Sequence, residues 1–122
     1  MTKAAAIHSF WASFGLTAYE ETSVPHDAAF PYVTYECITD GYGNDAVLSA
    51  SLWYRSPSWV EANAKAEEIG AHIGYGGILL PCDRGRLWIR RGTPFAQCMG
   101  DQSDDMIRRV VIDIEIMFLT NI

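Results

Sequence analysis

Four of the nine cationic side chains fall within eight residues of one another: Arg84, Arg86, Arg90 and Arg91. If residues 86–91 form a strand, alternation places Arg86, Trp88 and Arg90 on one face. Such a face could stack single-stranded bases on the indole and hold phosphates with the guanidinium groups. It could also hold the carboxylates of a neighbouring subunit, because the arginine fork binds them bidentately. A third interpretation is a solvated strand face, where exposed ion pairs contribute little stability.

The overall charge favours a protein partner over a nucleic acid. The formal net charge is −6 and the pI is about 4.8. Proteins that bind DNA grooves neutralise phosphates with Lys and Arg, so an acidic chain argues against that role. A dense acidic segment, Asp101, Asp104 and Asp105, follows the basic one. We therefore predict a contact between subunits in which residues 84–91 meet this acidic segment.

No other set of residues forms a motif for catalysis or metal binding. The glycines of GAHIGYGG follow a predicted helix and precede a strand, the reverse of a phosphate loop. The pair His26-Asp27 has no accompanying Ser or Cys motif, and the three Asp lack the ligand alternation of an EF-hand. The cysteines, Cys37, Cys82 and Cys98, have no zinc spacing and are interpreted as reduced thiols. The sequence predicts no catalytic residue, metal or cofactor. A small enzyme whose active site forms no recognisable sequence motif remains an alternative.

Two helices are predicted to position these residues. Ile7, Phe10, Trp11 and Phe14 recur at helical spacing, with Thr2 as a cap and Gly15 as a stop. The second helix is predicted to start at a capping box that begins with Ser58 and to end at Gly74. Its apolar seam is narrow and consists of Trp59, Ala62, Ala66, Ile69 and Ile73. Both helices are therefore expected to cover a sheet.

The remaining segments read as strands and loops. Alternation predicts a hairpin of strands 31–37 and 46–55 around the turn 41–44. Two short strands are predicted at 77–82 and 86–91, and residues 16–30 and 92–106 are predicted to be loops. The element order is α-β-β-α-β-β-β. It predicts one α+β domain over residues 1–122, with two helices on one face of an antiparallel sheet of about five strands, mixed pairing being left open.

The last predicted strand, 107–119, is unusually long. At ~3.3 Å per residue it would span about 43 Å, more than the roughly 35 Å diameter of a domain of this length. It must bend, break at a bulge or pair with another chain. One face consists of Val110, Ile112, Ile114, Ile116 and Phe118. The other face mixes charges with Met117 and Leu119, so this face or an overhanging end is predicted to contact another subunit.

Several segments together resemble a known family. They are FPYVTYE, GYGND, LSASLWYRSPSW, EANAKAEEIGAHIG and RRVVIDIEIMFLTN, which span about Phe30 to Asn121. The order of these segments and the amino-acid sequences of their strands resemble those of small neck and tail-completion proteins of long-tailed bacteriophages. The resemblance is in particular to the tail terminator, or tail-to-head joining, family. The resemblance contains no invariant functional motif.

The resemblance implies a structural virion protein, made in the host cytoplasm, with no catalytic residues. Such proteins form a ring, often a hexamer, that caps the tail tube and docks it to the head connector. Duplex DNA passes through the lumen without tight binding, and carboxylates lining it would repel phosphate. No apolar run reaches the ~18 residues that span a membrane, so no membrane partner is expected.

Overall fold

Two helices and six strands make up the computed structural model, which describes residues 1–120. Asn121, the last residue of the segment that carries the family resemblance, lies outside the described residues. In chain order the elements are α1 (Lys3–Ala12), β1 (Thr17–Glu20), β2 (Tyr32–Tyr35), β3 (Asp45–Arg55), α2 (Val60–Ile73), β4 (Ile78–Cys82), β5 (Gly85–Gly100) and β6 (Ile107–Thr120). The α+β prediction is confirmed.

The helix ends follow from local chemistry. Thr2 caps α1 as predicted, since its Oγ1 accepts a hydrogen bond from the Ala5 backbone N–H at 3.0 Å. The predicted cap of α2 is wrong in detail. Trp59 occupies the cap position without a side-chain hydrogen bond, and the Ser58 hydroxyl accepts from the Val60 N–H at 3.1 Å instead. Gly74 ends α2 at a φ of 72°, a conformation that favours glycine.

The six strands form one mixed sheet in the order β1-β2-β3-β6-β5-β4. β1 pairs with β2 in parallel, and every other neighbouring pair is antiparallel. β6, the last strand in sequence, therefore lies at the centre between β3 and β5. β1 and β4 are the two edges.

The core lies on one side of this sheet. Ile7 and Trp11 of α1 and Ile69 and Ile73 of α2 belong to the same buried cluster as the inward residues of the strands. The inward residues of β6 are those predicted, and all five are at most 1% exposed: Val110, Ile112, Ile114, Ile116 and Phe118. Both helices thus cover one face, and the opposite face, here called the outer face, carries neither helix.

The predicted loop 16–30 is wrong at its start. Residues Thr17–Glu20 form β1, whose backbone pairs with β2 from Tyr32 to Tyr35. Four residues are too few to show a clear alternation of apolar and polar side chains. The strand forms because its backbone pairs with β2. The sheet consequently has six strands instead of about five, and the mixed pairing that the sequence left open is present.

The predicted loop 92–106 is also largely wrong. β5 continues to Gly100, and only residues 101–106 connect it to β6. The register shifts between Arg91 and Ala96, which pair with Ile114 and Ile112 respectively. This bulge accommodates Gly92, where a Cβ atom would lie 2.7 Å from the Asp113 carbonyl oxygen. Gly and Pro signals here mark an interruption within a strand rather than its end.

The excess length of β6 does not produce an overhang in the described residues. β6 pairs with β3 from Ile107 to Met117 and with β5 from Arg108 to Thr120, apart from the bulge. The length is matched because β3 and β5 are themselves long. Neither helix within residues 1–120 has the length and hydropathy needed to cross a membrane.

Candidate functional site

The outer face gathers the apolar residues that were predicted at an interface. Residues directly opposite one another in a sheet point to the same face. Met117 therefore lies between Trp88 of β5 and Asp45 of β3, and Leu119 lies opposite Arg86. Met117 and Leu119 are half-buried although no helix covers them. The patch is a mixture of apolar and charged side chains on an uncovered sheet.

The predicted face of Arg86, Trp88 and Arg90 is confirmed. Leu87 and Ile89, which alternate with them, are 0% exposed and point into the core. Sequence alternation was sufficient here because β4 and β6 flank this part of β5 on both sides. The three side chains therefore share the outer face.

Trp88 is fixed by two contacts. Its indole Nε1 donates to the Gly76 carbonyl at 3.0 Å, and the Arg90 guanidinium lies 4.4 Å from the ring centre. A cation in this position is attracted by the negative face of the ring. The ring face that a nucleic-acid base would stack on is thus already in contact with Arg90.

Arg90 is engaged within its own chain. Its Nη2 donates to Asp45 Oδ1 at 3.1 Å, an ion pair that crosses β6. Its Nε atom is buried and has no acceptor within residues 1–120. The predicted partner of Arg90 was the acidic segment, and Asp45 takes that place in the monomer.

Arg84 and Arg91 lie apart from the stacked pair. Arg84 sits in the β4–β5 turn with a φ of 68° and is exposed. Arg91 lies at the start of the bulge, beside Tyr75 and Phe95. Together with Arg86, these side chains form no ion pair with other residues of the described chain. They are the cations of this region that remain available to a partner.

The acidic segment forms a turn at the far end of β5. Asp104 Oδ2 accepts from Arg55 Nε at 3.1 Å, and its Oδ1 accepts from the Met106 N–H at 2.9 Å. Asp101 accepts from the Ser103 N–H at 2.8 Å and from its hydroxyl at 2.6 Å. These hydrogen bonds lower the pKa of both carboxyl groups. Asp105 is exposed and carries no such contact in residues 1–120.

The structure does not bring the acidic segment to the basic one. Residues 84–91 and 101–105 lie at opposite ends of β5, so a contact between them would have to join two copies of the chain. Because Arg90 and Asp104 each have a partner already, a contact made through these two side chains would compete with Arg90–Asp45 and Arg55–Asp104.

A second arginine–tryptophan pair on the outer face was missed. The Arg109 guanidinium lies 4.8 Å from the Trp53 ring centre, and these residues are directly opposite one another in β6 and β3. Tyr32 of β2, which lies opposite Trp53 on its other side, stacks on the same indole with ring centres 6.2 Å apart. No linear motif could reveal it, since the register of β3 on β6 makes the contact.

A groove of about 550 Å³ lies between α1 and the edge strand β4. Phe10, His72, Leu80 and Cys82 contribute to its walls, which are mainly apolar. Two polar groups of its lining are already bonded: the Ser13 hydroxyl donates to the Phe10 carbonyl, and the Met1 ammonium pairs with Asp83 at 2.8 Å. Within residues 1–120 no three His, Cys, Asp or Glu side chains cluster as metal ligands would. The groove offers an apolar surface without a convergent set of polar groups.

Two of the three cysteines, Cys37 and Cys82, are half-buried, and Cys98 is exposed. Cys37, Cys82 and Cys98 are all free thiols. Burial raises the pKa of the Cys37 and Cys82 thiols, which disfavours the nucleophilic thiolate. This agrees with their interpretation as reduced, unpaired cysteines.

Comparison with known proteins gives no assignment. No protein-family model matches the chain, and no curated protein sequence matches it.

Proposed function

We propose that this chain is a structural subunit of a bacteriophage tail or neck, a tail terminator or head-to-tail joining protein. In this role it assembles into a ring, hexameric by analogy with the family it resembles. The ring caps the tail tube, docks to the head connector and lets duplex DNA pass. The protein acts in the virion and is made in the host cytoplasm. It performs no catalysis and needs no cofactor.

The observation that carries the proposal is the uncovered outer face. An enzyme or carrier of this size usually concentrates its polar groups in a concave pocket. Here the main feature is a sheet surface on which Trp88, Met117 and Leu119 adjoin charged side chains. Val47 and Leu79 on the same face are 62% and 51% exposed. Exposed apolar area rimmed by charges is typical of a protein–protein contact.

The charge supports a ring through which DNA slides. At a net charge of −6 the chain as a whole repels phosphate. Arg90 and Arg109, which could have met phosphates, lie over tryptophan rings, and Arg90 is paired with Asp45. A lumen formed by such subunits would let DNA pass without binding it tightly.

The second candidate is a small module that binds single-stranded nucleic acid. The two arginine–tryptophan pairs on the outer face favour it, since stacking platforms combine aromatic rings with cations. To bind a base, Trp88 would have to lose its contact with Arg90. This cost, together with the net negative charge, makes it the weaker candidate.

Native mass spectrometry over a range of protein concentrations tests the ring. A discrete species at a single multiple of 13.6 kDa is expected, and negative-stain microscopy of that species should show a central hole. A monomer at every concentration would contradict the proposal. Fluorescence anisotropy with oligothymidylate tests the alternative: tight binding that is lost in Trp88→Ala would favour the single-strand module.

A further inference from the structure

The crossover loop between β1 and β2, residues 21–31, is largely exposed. Eight of its first ten residues are exposed. Its first residue, Glu21, donates its backbone N–H to the Tyr35 carbonyl of β2 at 2.9 Å. Beyond it the backbone hydrogen bonds are local, from Ser23 N–H to the Glu20 carbonyl and from Ala28 N–H to the Pro25 carbonyl. The loop nevertheless carries apolar side chains, among them Phe30, which is 37% exposed. An exposed loop with this composition has surface available for a partner.

The same loop lies in a long stretch of the chain that has carboxylates and no cationic side chain. Between Thr17 and Asn44 there are five carboxylates and no Lys or Arg. Glu21 and Asp27 are exposed and form no ion pair within residues 1–120. We call residues 21–31, with Glu21 and Asp27, the acidic loop. It lies at the β1 edge of the sheet.

The other edge has the opposite character. Arg84 and Arg86 are both exposed and unpaired in the described chain. Arg86 lies opposite Pro81 of β4 on the outer face, while the apolar groove runs along the inner side of β4 as far as Asp83. We call Arg84, Arg86 and this groove the basic edge. Pro81 has no N–H, which disfavours extension of the sheet by a further strand here.

From this asymmetry we propose that two copies of the chain associate head to tail. The acidic loop of one copy docks on the basic edge of the next. Glu21 and Asp27 meet Arg84 and Arg86, and the apolar residues of the loop enter the groove between α1 and β4. The inference rests on the self-assembly in the proposed function, whose phage role it does not require.

Charge complementarity selects a second copy as the occupant. The two surfaces belong to opposite edges of one sheet, β1 and β4. The charges of one therefore do not pair with those of the other within the monomer. Pairing like edges about a two-fold axis would bring equal charges together, which is unfavourable. A head-to-tail contact pairs unlike charges and repeats with the same geometry. Such contacts generate a closed ring or an open filament, depending on the rotation.

Two charge-reversed proteins test the contact. The first carries Glu21→Arg and Asp27→Arg, and the second carries Arg84→Glu and Arg86→Glu. Each alone has edges of like charge and should sediment as a monomer under conditions in which the wild type assembles. An equimolar mixture should assemble again, because the intact acidic loop of one fits the intact basic edge of the other. All four positions are exposed, so folding should be unaffected.

Two further variants control for net charge and for folding. Glu67→Arg with Asp105→Arg changes the net charge as much as the first reversed protein does, at exposed positions elsewhere. It should assemble as the wild type does. If a reversed protein unfolds in circular dichroism, Glu21→Gln with Asp27→Asn replaces it and should weaken assembly without adding charge.

The outcomes separate the contact from the ring. If both reversed proteins keep the wild-type mass, or if their mixture stays monomeric, the proposed contact between the acidic loop and the basic edge is wrong. A ring formed through other contacts would remain compatible with that result. If reversal abolishes assembly and mixing restores it, but the wild type forms open chains, the proposed contact is right. The proposal that the protein forms a closed ring is then wrong. A wild type that is monomeric at every concentration and low salt overturns both.

Discussion

Arg90 on β5 reaches across the central strand to Asp45 on β3, with 3.1 Å between Nη2 and Oδ1. The same guanidinium lies over Trp88 of its own strand, so one side chain links β5 to β3 across β6 on the outer face. The arginine that sequence reasoning assigned to a neighbouring subunit thus has a structural role within the monomer. Its consequences are measurable separately from assembly.

A double-mutant cycle on Arg90 and Asp45 should give a small positive coupling. The side chains are 26% and 56% exposed, and pairs of this exposure contribute about 0.2–1 kcal/mol. Arg90→Met, Asp45→Asn and the double variant would be compared by urea denaturation in low and high salt. The coupling should fall as salt rises. A cycle on Arg90 and Asp104 serves as the control, and coupling in the monomer there would contradict the geometry.

Ile114→Ala should destabilise the fold by about 2–5 kcal/mol, because the side chain is 0% exposed at the centre of the sheet. Thermal and urea unfolding followed by circular dichroism would measure the loss. Val47→Ala removes apolar atoms from the neighbouring strand, where Val47 is 62% exposed, and should change stability by less than about 0.5 kcal/mol. Equal effects from the two substitutions would mean that the faces are assigned wrongly.

Met117→Asp should act on the outer face. It places a second carboxylate directly opposite Asp45, and like charges opposite one another in a sheet are unfavourable. The chain should remain folded with a lower melting temperature, and any oligomer that uses this face should shift toward monomer in sedimentation velocity. Met117→Leu, which keeps the apolar surface, is the matched control. Complete unfolding by Met117→Asp alone would show that the residue belongs to the core.

Acid should loosen the 101–106 turn. The pKa of Asp104 is lowered from its ordinary 3.8 by the Met106 N–H first and then by Arg55, and the pKa of Asp101 is lowered chiefly by Ser103. A lowered pKa in the folded state gives stabilisation that is fully present above about 3.8 and is lost as the pH falls through the folded value. The protection of the Met106 amide against hydrogen exchange, relative to its intrinsic rate at the same pH, should therefore fall below that range. Asp104→Asn should remove most of this pH dependence, whereas Asp105→Asn should leave it in place.

Duplex DNA should not bind measurably at physiological salt. The net charge of −6 opposes association, and non-specific binding depends on cationic contacts to phosphate. Fluorescence anisotropy with a short labelled duplex is the measurement. Sub-micromolar binding with a steep salt dependence would contradict the proposed ring and would favour a DNA-binding function.

Much of the local structure could be predicted from the sequence. Period-two alternation identified the inward faces of β3 and β6, from Leu48 to Tyr54 and from Val110 to Phe118, because a sheet buried on one side requires it. Helical spacing and Thr2 located α1. The face shared by Arg86, Trp88 and Arg90 followed from the same alternation. These features depend on residues close together in the chain.

Only the tertiary structure decided which segments meet. β1 is ordered by its parallel partner β2, and β5 continues through Gly92 because the bulge lets Ala96 rejoin β6. The partners of Arg90 and Arg109, Asp45 and Trp53, are 45 and 56 positions away in sequence and were set by strand register. The separation of the acidic loop from the basic edge has the same origin, since strand order puts β1 and β4 at opposite edges. Pairing over such distances depends on the burial of the whole sheet face, which no local pattern records.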